Sequence, residues 1–149
     1  MLSEKAAADS TLLMRAPKTG DAQEIWRLVR ETGVLDENSA YLYLLLCRDF
    51  ADTCLVAESE GRVVGFVTAY RPPGRPQTLF VWQIGVCQSV RRQGVALKLL
   101  TELVGRVQPL EFVEATVAAS NLASRRLFEA FARNRDVSLT DIDDAGFLE

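Results

Sequence analysis

Apolar residues in the first third of the chain recur mostly at helical spacing, and beyond residue 52 they gather into short β-branched runs. Leu12-Leu13-Met14-Arg15 reads as a short first strand, ended by Pro17. Ile25, Trp26, Leu28 and Val29 then form the buried stripe of a helix. Asp21 offers an N-cap for it, with Glu24 in capping-box position, and Gly33 offers a stop. After a polar break at 36–39, Asn38 or Ser39 caps a second helix that runs to about Phe50. Residues 53–59 (TCLVAES) and 62–70 (RVVGFVTAY) read as two strands joined at Glu60-Gly61, a hairpin signal. Gly65 inside the second suggests a bulge or a close packing contact. The proline-rich stretch 71–77 cannot join a ladder.

The chain is organised around residues 78–104. Leu79-Phe80-Val81-Trp82 and Ile84-Gly85-Val86 form a strand apolar on both faces, and Val95, Leu97, Leu99, Leu100, Leu103 and Val104 give the following helix a broad apolar side. Between them lies Val90-Arg91-Arg92-Gln93-Gly94-Val95-Ala96. A strand that turns through two arginines and a glycine into a helix presents free backbone N–H groups and a positive dipole end, which together cradle an anion. A fifth strand at 111–117 and a helix at 121–132, with Leu122, Leu127, Phe128 and Phe131 apolar, complete the pattern. Past Asn134 the chain turns acidic, and only 137–139 reads as a possible strand.

Composition narrows the options. A length of 149 residues, 48% hydrophobic and 25% charged, fits one globular domain over 12–149 behind a loose tail at 1–11. A net charge of -3 supplies no general attraction for nucleic acid. No apolar run reaches the roughly 20 residues that span a bilayer, and the first ten residues lack a signal-peptide pattern, so a cytoplasmic location is expected. Cys47, Cys54 and Cys87 all lie in apolar elements and read as buried free thiols. The absence of histidine sets aside histidine-dependent triads and zinc hydrolase chemistry, and no metal site is expected.

Arg91-x-x-Gly94-x-Ala96, following a hydrophobic strand and opening a helix, resembles the pyrophosphate loop of the GCN5-related N-acetyltransferases, which bind acetyl-coenzyme A. Leu35-Asp36-x-Asn38-Ser39-x-Tyr41-x-Tyr43 and Thr78-Leu79-Phe80-Val81-Trp82-Gln83 resemble segments of one branch of that family, the L-2,4-diaminobutyrate acetyltransferases of ectoine biosynthesis. The resemblance covers about residues 15–131. It implies an α/β (α+β) acyl-CoA N-acyltransferase fold, a mixed bent sheet with helices on both faces. It also implies transfer of acetyl from acetyl-CoA to the 4-amino group of L-2,4-diaminobutyrate, in a homodimer, as part of osmoprotection.

By the same resemblance, main-chain groups from Arg91, Arg92, Gln93, Gly94, Val95 and Ala96 hold the diphosphate, and Ile84 and Val86 flank the pantetheine arm. Gly85 suits either a bulge that splays this strand from the next or an ordinary central strand with a small residue for packing, and the N–H near Val86 would polarise the thioester carbonyl. Asn121-x-Ala123-Ser124 matches the second cofactor motif, Asn121 toward pantetheine and Ser124 toward the diphosphate. The position often holding a tyrosine general acid is Phe128, which has no proton to give. Asp36, Asn38, Tyr41 and Trp82 would surround the diaminobutyrate, with a water chain near Asp36 accepting the amine proton. The family normally closes with one more strand, for which the acidic C-terminal stretch offers no good candidate. Two alternatives stay open: an acetyltransferase for another small diamine or amino-acid amine, and a catalytically silent acetyl-CoA-binding module.

Overall fold

The hairpin predicted at Glu60-Gly61 lies at the middle of a five-stranded sheet in the computed structural model, which describes residues 12–33, 35 and 37–142. Glu60 at φ 51° and Gly61 at φ 77° both take the left-handed conformation that a tight two-residue turn requires. They join β2 (Leu55–Ser59) to β3 (Arg62–Tyr70). The strands follow chain order: β1 (Leu13–Arg15), β2, β3, β4 (Thr78–Val86) and β5 (Phe112–Ala115). All neighbours are antiparallel except β4 and β5, which run parallel, so the sheet is mixed as expected.

Helices cover both faces. α1 (Ala22–Thr32) ends on Gly33 at φ 67°, and α2 (Ala40–Asp49) starts from Ser39, whose side chain accepts the Leu42 N–H at 3.3 Å. Ile25, Leu28, Val29, Tyr43 and Leu46 from this pair cluster with Val56 of β2 and Phe66 of β3. Burying each of these larger side chains contributes roughly 1.5–3 kcal/mol. α3 (Val95–Arg106) packs on the opposite face of β2, β3 and β4. Neighbouring residues of β3 show the two sides: Phe66 joins the α1/α2 cluster, while a methyl at Gly65 would lie 3.1 Å from Leu99 Cδ1 of α3. Gly65 is therefore a close-packing glycine, and the irregularity of that strand falls beside it, between the pairs Ala57–Gly65 and Glu58–Val63.

Three local expectations are corrected. Asp21 does not cap α1, because its carboxylate takes two hydrogen bonds from the Arg15 guanidinium at 2.7 and 3.0 Å and one from the Lys18 N–H at 2.7 Å. Glu24 pairs with Arg62 at 3.2 Å instead of closing a capping box. Gly85 is not a bulge: it pairs in register with Phe66, and its missing side chain makes room, since a methyl there would sit 2.6 Å from the Phe66 ring. The shift in the β3–β4 ladder falls three residues earlier, where Gln83 pairs with Thr68 and Val81 with Ala69, leaving Trp82 as the extra residue.

The described residues form two compact units, one reaching Thr116 and one starting at Val117. The second holds α4 (Leu122–Arg135), capped by Asn121, whose side chain accepts the Ser124 N–H at 3.1 Å. This helix runs three residues past the predicted 132, because polar Arg133, Asn134 and Arg135 continue it without adding to the apolar period. It stops at Asp136, φ 54°. Residues 137–139 are not a strand: the Val137 N–H closes the helix end on the Ala132 carbonyl at 3.0 Å. The tail at 1–11 and the last seven residues, 143–149, lie outside the described residues.

Candidate active site

The site begins where β4 outlasts its parallel neighbour. The β4–β5 ladder runs from Thr78–Phe112 to Val81–Ala115, while β4 continues to Val86. Ladder parity shows which main-chain groups this leaves facing the parted edge. The Cys87 N–H donates to the Val64 carbonyl at 2.8 Å, so Cys87, Gly85 and Gln83 are the residues that exchange bonds with β3. The N–H and C=O groups of Ile84 and Val86 then point the other way, into the gap beyond the last β5 pair. Such groups need a partner when covered, and an extended amide-bearing molecule supplies one.

Eight residues past Val86, Gly94 at φ 74° turns the chain into α3. The first α3 bond counted from the turn is Lys98 N–H to the Gly94 carbonyl at 3.0 Å, and no side chain among the described residues caps the helix. The N–H groups of Val95, Ala96 and Leu97 thus project from a positive dipole end. A Cβ added at Gly94 would meet nothing within 4 Å among the described residues, which leave the approach to these donors open. Arg92 takes the left-handed conformation, φ 65°, and Gln93 donates to the Ser89 carbonyl at 3.5 Å. The residues present therefore fit a diphosphate at this end and a pantetheine arm along the β4 edge. A cleft of about 270 Å³ opens beside them, lined by Leu28, Glu31, Val86, Cys87, Gln88 and Arg91 among others. A larger depression of about 460 Å³ lies at the C-terminal end of α4, around Arg133 and Asp136, and contains no residue of either motif.

The Trp82 bulge turns two consecutive β4 side chains onto α2. The Trp82 ring stacks on Tyr43, centroids 6.2 Å apart and planes 21° apart, while Gln83 Oε1 accepts the Tyr43 hydroxyl at 2.9 Å. Tyr43 is fully buried, and burial pushes its phenol above the usual range against hydrogen bonds from Asn38, so it stays protonated. Asn38 is pinned a second time, its carbonyl accepting the Trp26 indole N–H at 3.1 Å. Of the sequence-predicted acceptor residues, Asn38 and Trp82 are thus brought together through Tyr43. Tyr41 is 62% exposed at the start of α2, and Asp36 lies outside the described residues.

Tyr43 and Gln83 were not assigned a role from the sequence. A glutamine in the middle of an apolar strand was the available signal, because a buried amide must find partners. In the second unit, the Asn121 side chain is occupied as the α4 cap, with Ser124 in the first turn. Cys47 and Cys54 are buried, which pushes their thiols up to about 12 and about 11; neither suits a nucleophile. Direct attack of the amine on a bound thioester is the chemistry this arrangement favours.

A sheet whose fourth and fifth strands part beside an uncapped helix start defines the class: the chain belongs to the acetyltransferase (GNAT) family, whose model matches residues 21–132. Within that family its similarity is to diaminobutyrate acetyltransferases. It is 47% identical over 140 residues to L-2,4-diaminobutyric acid acetyltransferase of Nocardia farcinica, covering 91% of this chain and 72% of that one. It is 48% identical over 137 residues to the enzyme of the same name from Streptomyces anulatus, covering 89% and 78%. Among solved structures it resembles diaminobutyrate acetyltransferase EctA from Paenibacillus lautus in complex with L-2,4-diaminobutyric acid and coenzyme A. That likeness has a TM-score of 0.81 and 47% identity, covering 84% of this chain and 76% of that one.

Proposed function

We propose that this protein transfers acetyl from acetyl-CoA to the 4-amino group of L-2,4-diaminobutyrate, giving N4-acetyl-L-2,4-diaminobutyrate, the compound cyclised to ectoine. The observation that carries the reading is the run of β4 from Trp82 to Val86 beyond its last β5 partner, with a stacked aromatic at one end and an open anion cradle after the other.

Acetyl-CoA, when bound, supplies an activated acetyl group as a thioester. The N–H groups of Val95 and Ala96, Gly94's open backbone and the guanidinium groups of Arg91 and Arg92 hold its diphosphate, with Gln93 bracing the loop through Ser89. Ile84 and Val86 hold the arm along β4, and the Val86 N–H points at the carbonyl, where a donor is worth most as charge develops. Asn121 and Ser124 are proposed for the cofactor on their motif. The acceptor is an ammonium with an ordinary pKa near 10.4, so freeing its lone pair at pH 7 costs about 4–5 kcal/mol. The Trp82 face holds the cation, Asn38 and Tyr41 complete the acceptor side, and Asp36 takes the proton through water. An Asp36→Asn variant with full turnover and unchanged acceptor affinity would remove Asp36 from this scheme.

The match of the family model runs through both compact units, which supports reading them as parts of one acetyltransferase domain. Among the described residues no helix is long and apolar enough to cross a membrane. With two buried free thiols and a cosubstrate made inside cells, we place the enzyme in the cytoplasm, in osmoprotective metabolism. We expect a homodimer by family resemblance, and light scattering reads it directly.

Thiol release measured with diaminobutyrate, ornithine, lysine and putrescine tests the assignment. One added methylene is worth roughly 10- to 200-fold in kcat/KM, so diaminobutyrate should lead ornithine by at least tenfold. Equal rates on all four amines would overturn it.

A further inference from the structure

Tyr43 is the most tightly held polar side chain in the acceptor region, and no step of the reaction uses it. It has no exposed surface, so it cannot touch a substrate. Its hydroxyl nevertheless reaches both sides of the site. It donates to Gln83 on β4 at 2.9 Å and takes hydrogen bonds from Asn38 in the segment between α1 and α2. Its ring supports the half-buried Trp82 in a near-parallel stack.

These contacts follow from the bulge. In a regular strand Trp82 and Gln83 would point to opposite faces of the sheet. The extra residue between the pairs Gln83–Thr68 and Val81–Ala69 turns both toward α2, where a single tyrosine meets the amide with its hydroxyl and the indole with its ring. Thr68 fixes the same point from β3, its hydroxyl donating to the Gln83 carbonyl at 3.4 Å. Trp26 fixes Asn38 from α1. The surrounding elements thus determine the position of the Trp82 ring plane and of Asn38, and the Tyr43 hydroxyl is the link they share. A phenylalanine would keep the stack and the volume while leaving the Gln83 amide in a buried place without this donor, free to rotate or to draw in water.

Building on the proposed acceptor site, we infer that Tyr43 is a positioning residue for the amine: through Gln83 and Asn38 it holds the acceptor segment and the bulged Trp82 in register, and it leaves the acetyl-CoA side untouched. The diphosphate cradle starts beyond Val86, and the partners of the Tyr43 hydroxyl among the described residues, Gln83 and Asn38, are not among the groups proposed for the pantetheine arm or the diphosphate. An effect confined to the acceptor is therefore what separates positioning from general loosening of the fold.

The test is steady-state kinetics of Tyr43→Phe, Gln83→Met and the double variant, each with its thermal midpoint recorded. The expected result is a KM for diaminobutyrate at least tenfold higher in each single variant, with the KM for acetyl-CoA within twofold of wild type. The double variant should be no worse than the poorer single one, because the two residues act as a unit. An unchanged diaminobutyrate KM in folded Tyr43→Phe, or an equal rise in both KM values, overturns the proposal. If Tyr43→Phe does not fold, Gln83→Met is judged by the same criteria. Wild-type protein that shows no preference for diaminobutyrate refutes the acceptor reading and the proposal with it, an outcome distinct from wild-type preference that survives the tyrosine change.

Discussion

Gly85→Ala is the sharpest structural perturbation available, because one methyl group separates two accounts of why a glycine stands in the middle of β4. If Gly85 served backbone freedom, alanine would cost little, since its φ lies outside the left-handed region. If it serves close approach, the methyl must fit where the structure leaves no room. It would lie 2.6 Å from Phe66 Cε1, 3.0 Å from Cζ and 3.1 Å from Leu35 Cδ1. Carbon atoms pack at about 3.5–4.0 Å, so the ring must retreat by roughly 1 Å. Phe66 is fully buried within the α1/α2 cluster and has no solvent side to move into. Overpacking of this kind costs about 1–3 kcal/mol, which for a chain of this length lowers the thermal midpoint by about 2–12 °C. Urea denaturation of wild type, Gly85→Ala, Phe66→Leu and the double variant measures it. The smaller side chain at 66 leaves space that the new methyl fills, so the double variant should be at least about 1 kcal/mol more stable than the sum of the single losses predicts. A Gly85→Ala protein within about 0.3 kcal/mol of wild type, or strict additivity in the cycle, would refute the close-approach argument.

Other consequences are equally measurable. Burial raises the Asp21 pKa, but hydrogen bonds from Arg15 and Lys18 outweigh it and hold the carboxyl below the usual carboxylate range. Its contribution is then complete above the unfolded value of roughly 3.9 and is lost as pH falls through the lower folded value, so Asp21→Asn should cost about 1–3 kcal/mol at pH 7 and progressively less below about pH 4 by denaturant titration. With Cys47 and Cys54 thiols raised to about 12 and about 11, their thiolate fractions at pH 8 are on the order of 10⁻⁴ and 10⁻³, and a thiol-reactive dye should label only the half-buried Cys87 quickly in the folded protein. Ser39→Ala removes the α2 cap and should lower stability by about 1 kcal/mol, while Ser39→Asp should retain it.

Much of this architecture could be read from the chain because its signals are local. The Glu60-Gly61 turn, the Gly33 stop, the Ser39 cap and the strand-loop-helix unit at 78–104 each depend on residues within a few positions of one another, and all are found. What stayed hidden depends on partners distant in sequence. Asp21 has the look of a cap, but its carboxylate goes to Arg15, whose second acidic partner, Glu58, arrives from β2. A glycine in a strand allows a bulge or a tight contact, and only the Phe66 ring across the ladder decides for contact at Gly85. The true bulge sits at Trp82, whose bulk gives no warning of it. Tyr43, to which the chain by itself gives no role, is stacked on Trp82 because the bulge turns that ring onto α2.

The account rests on main-chain donors left facing the parting of β4 from β5 and the start of α3. Amide hydrogen exchange with and without acetyl-CoA tests this residue by residue. In the free protein the N–H groups of Ile84, Val86, Val95 and Ala96 should exchange much faster than those of Gly85 and Cys87, which are bonded to β3, and saturating acetyl-CoA should slow the four at least tenfold. Strong protection of Ile84 and Val86 already in the free protein, unaltered by the cofactor, would contradict it.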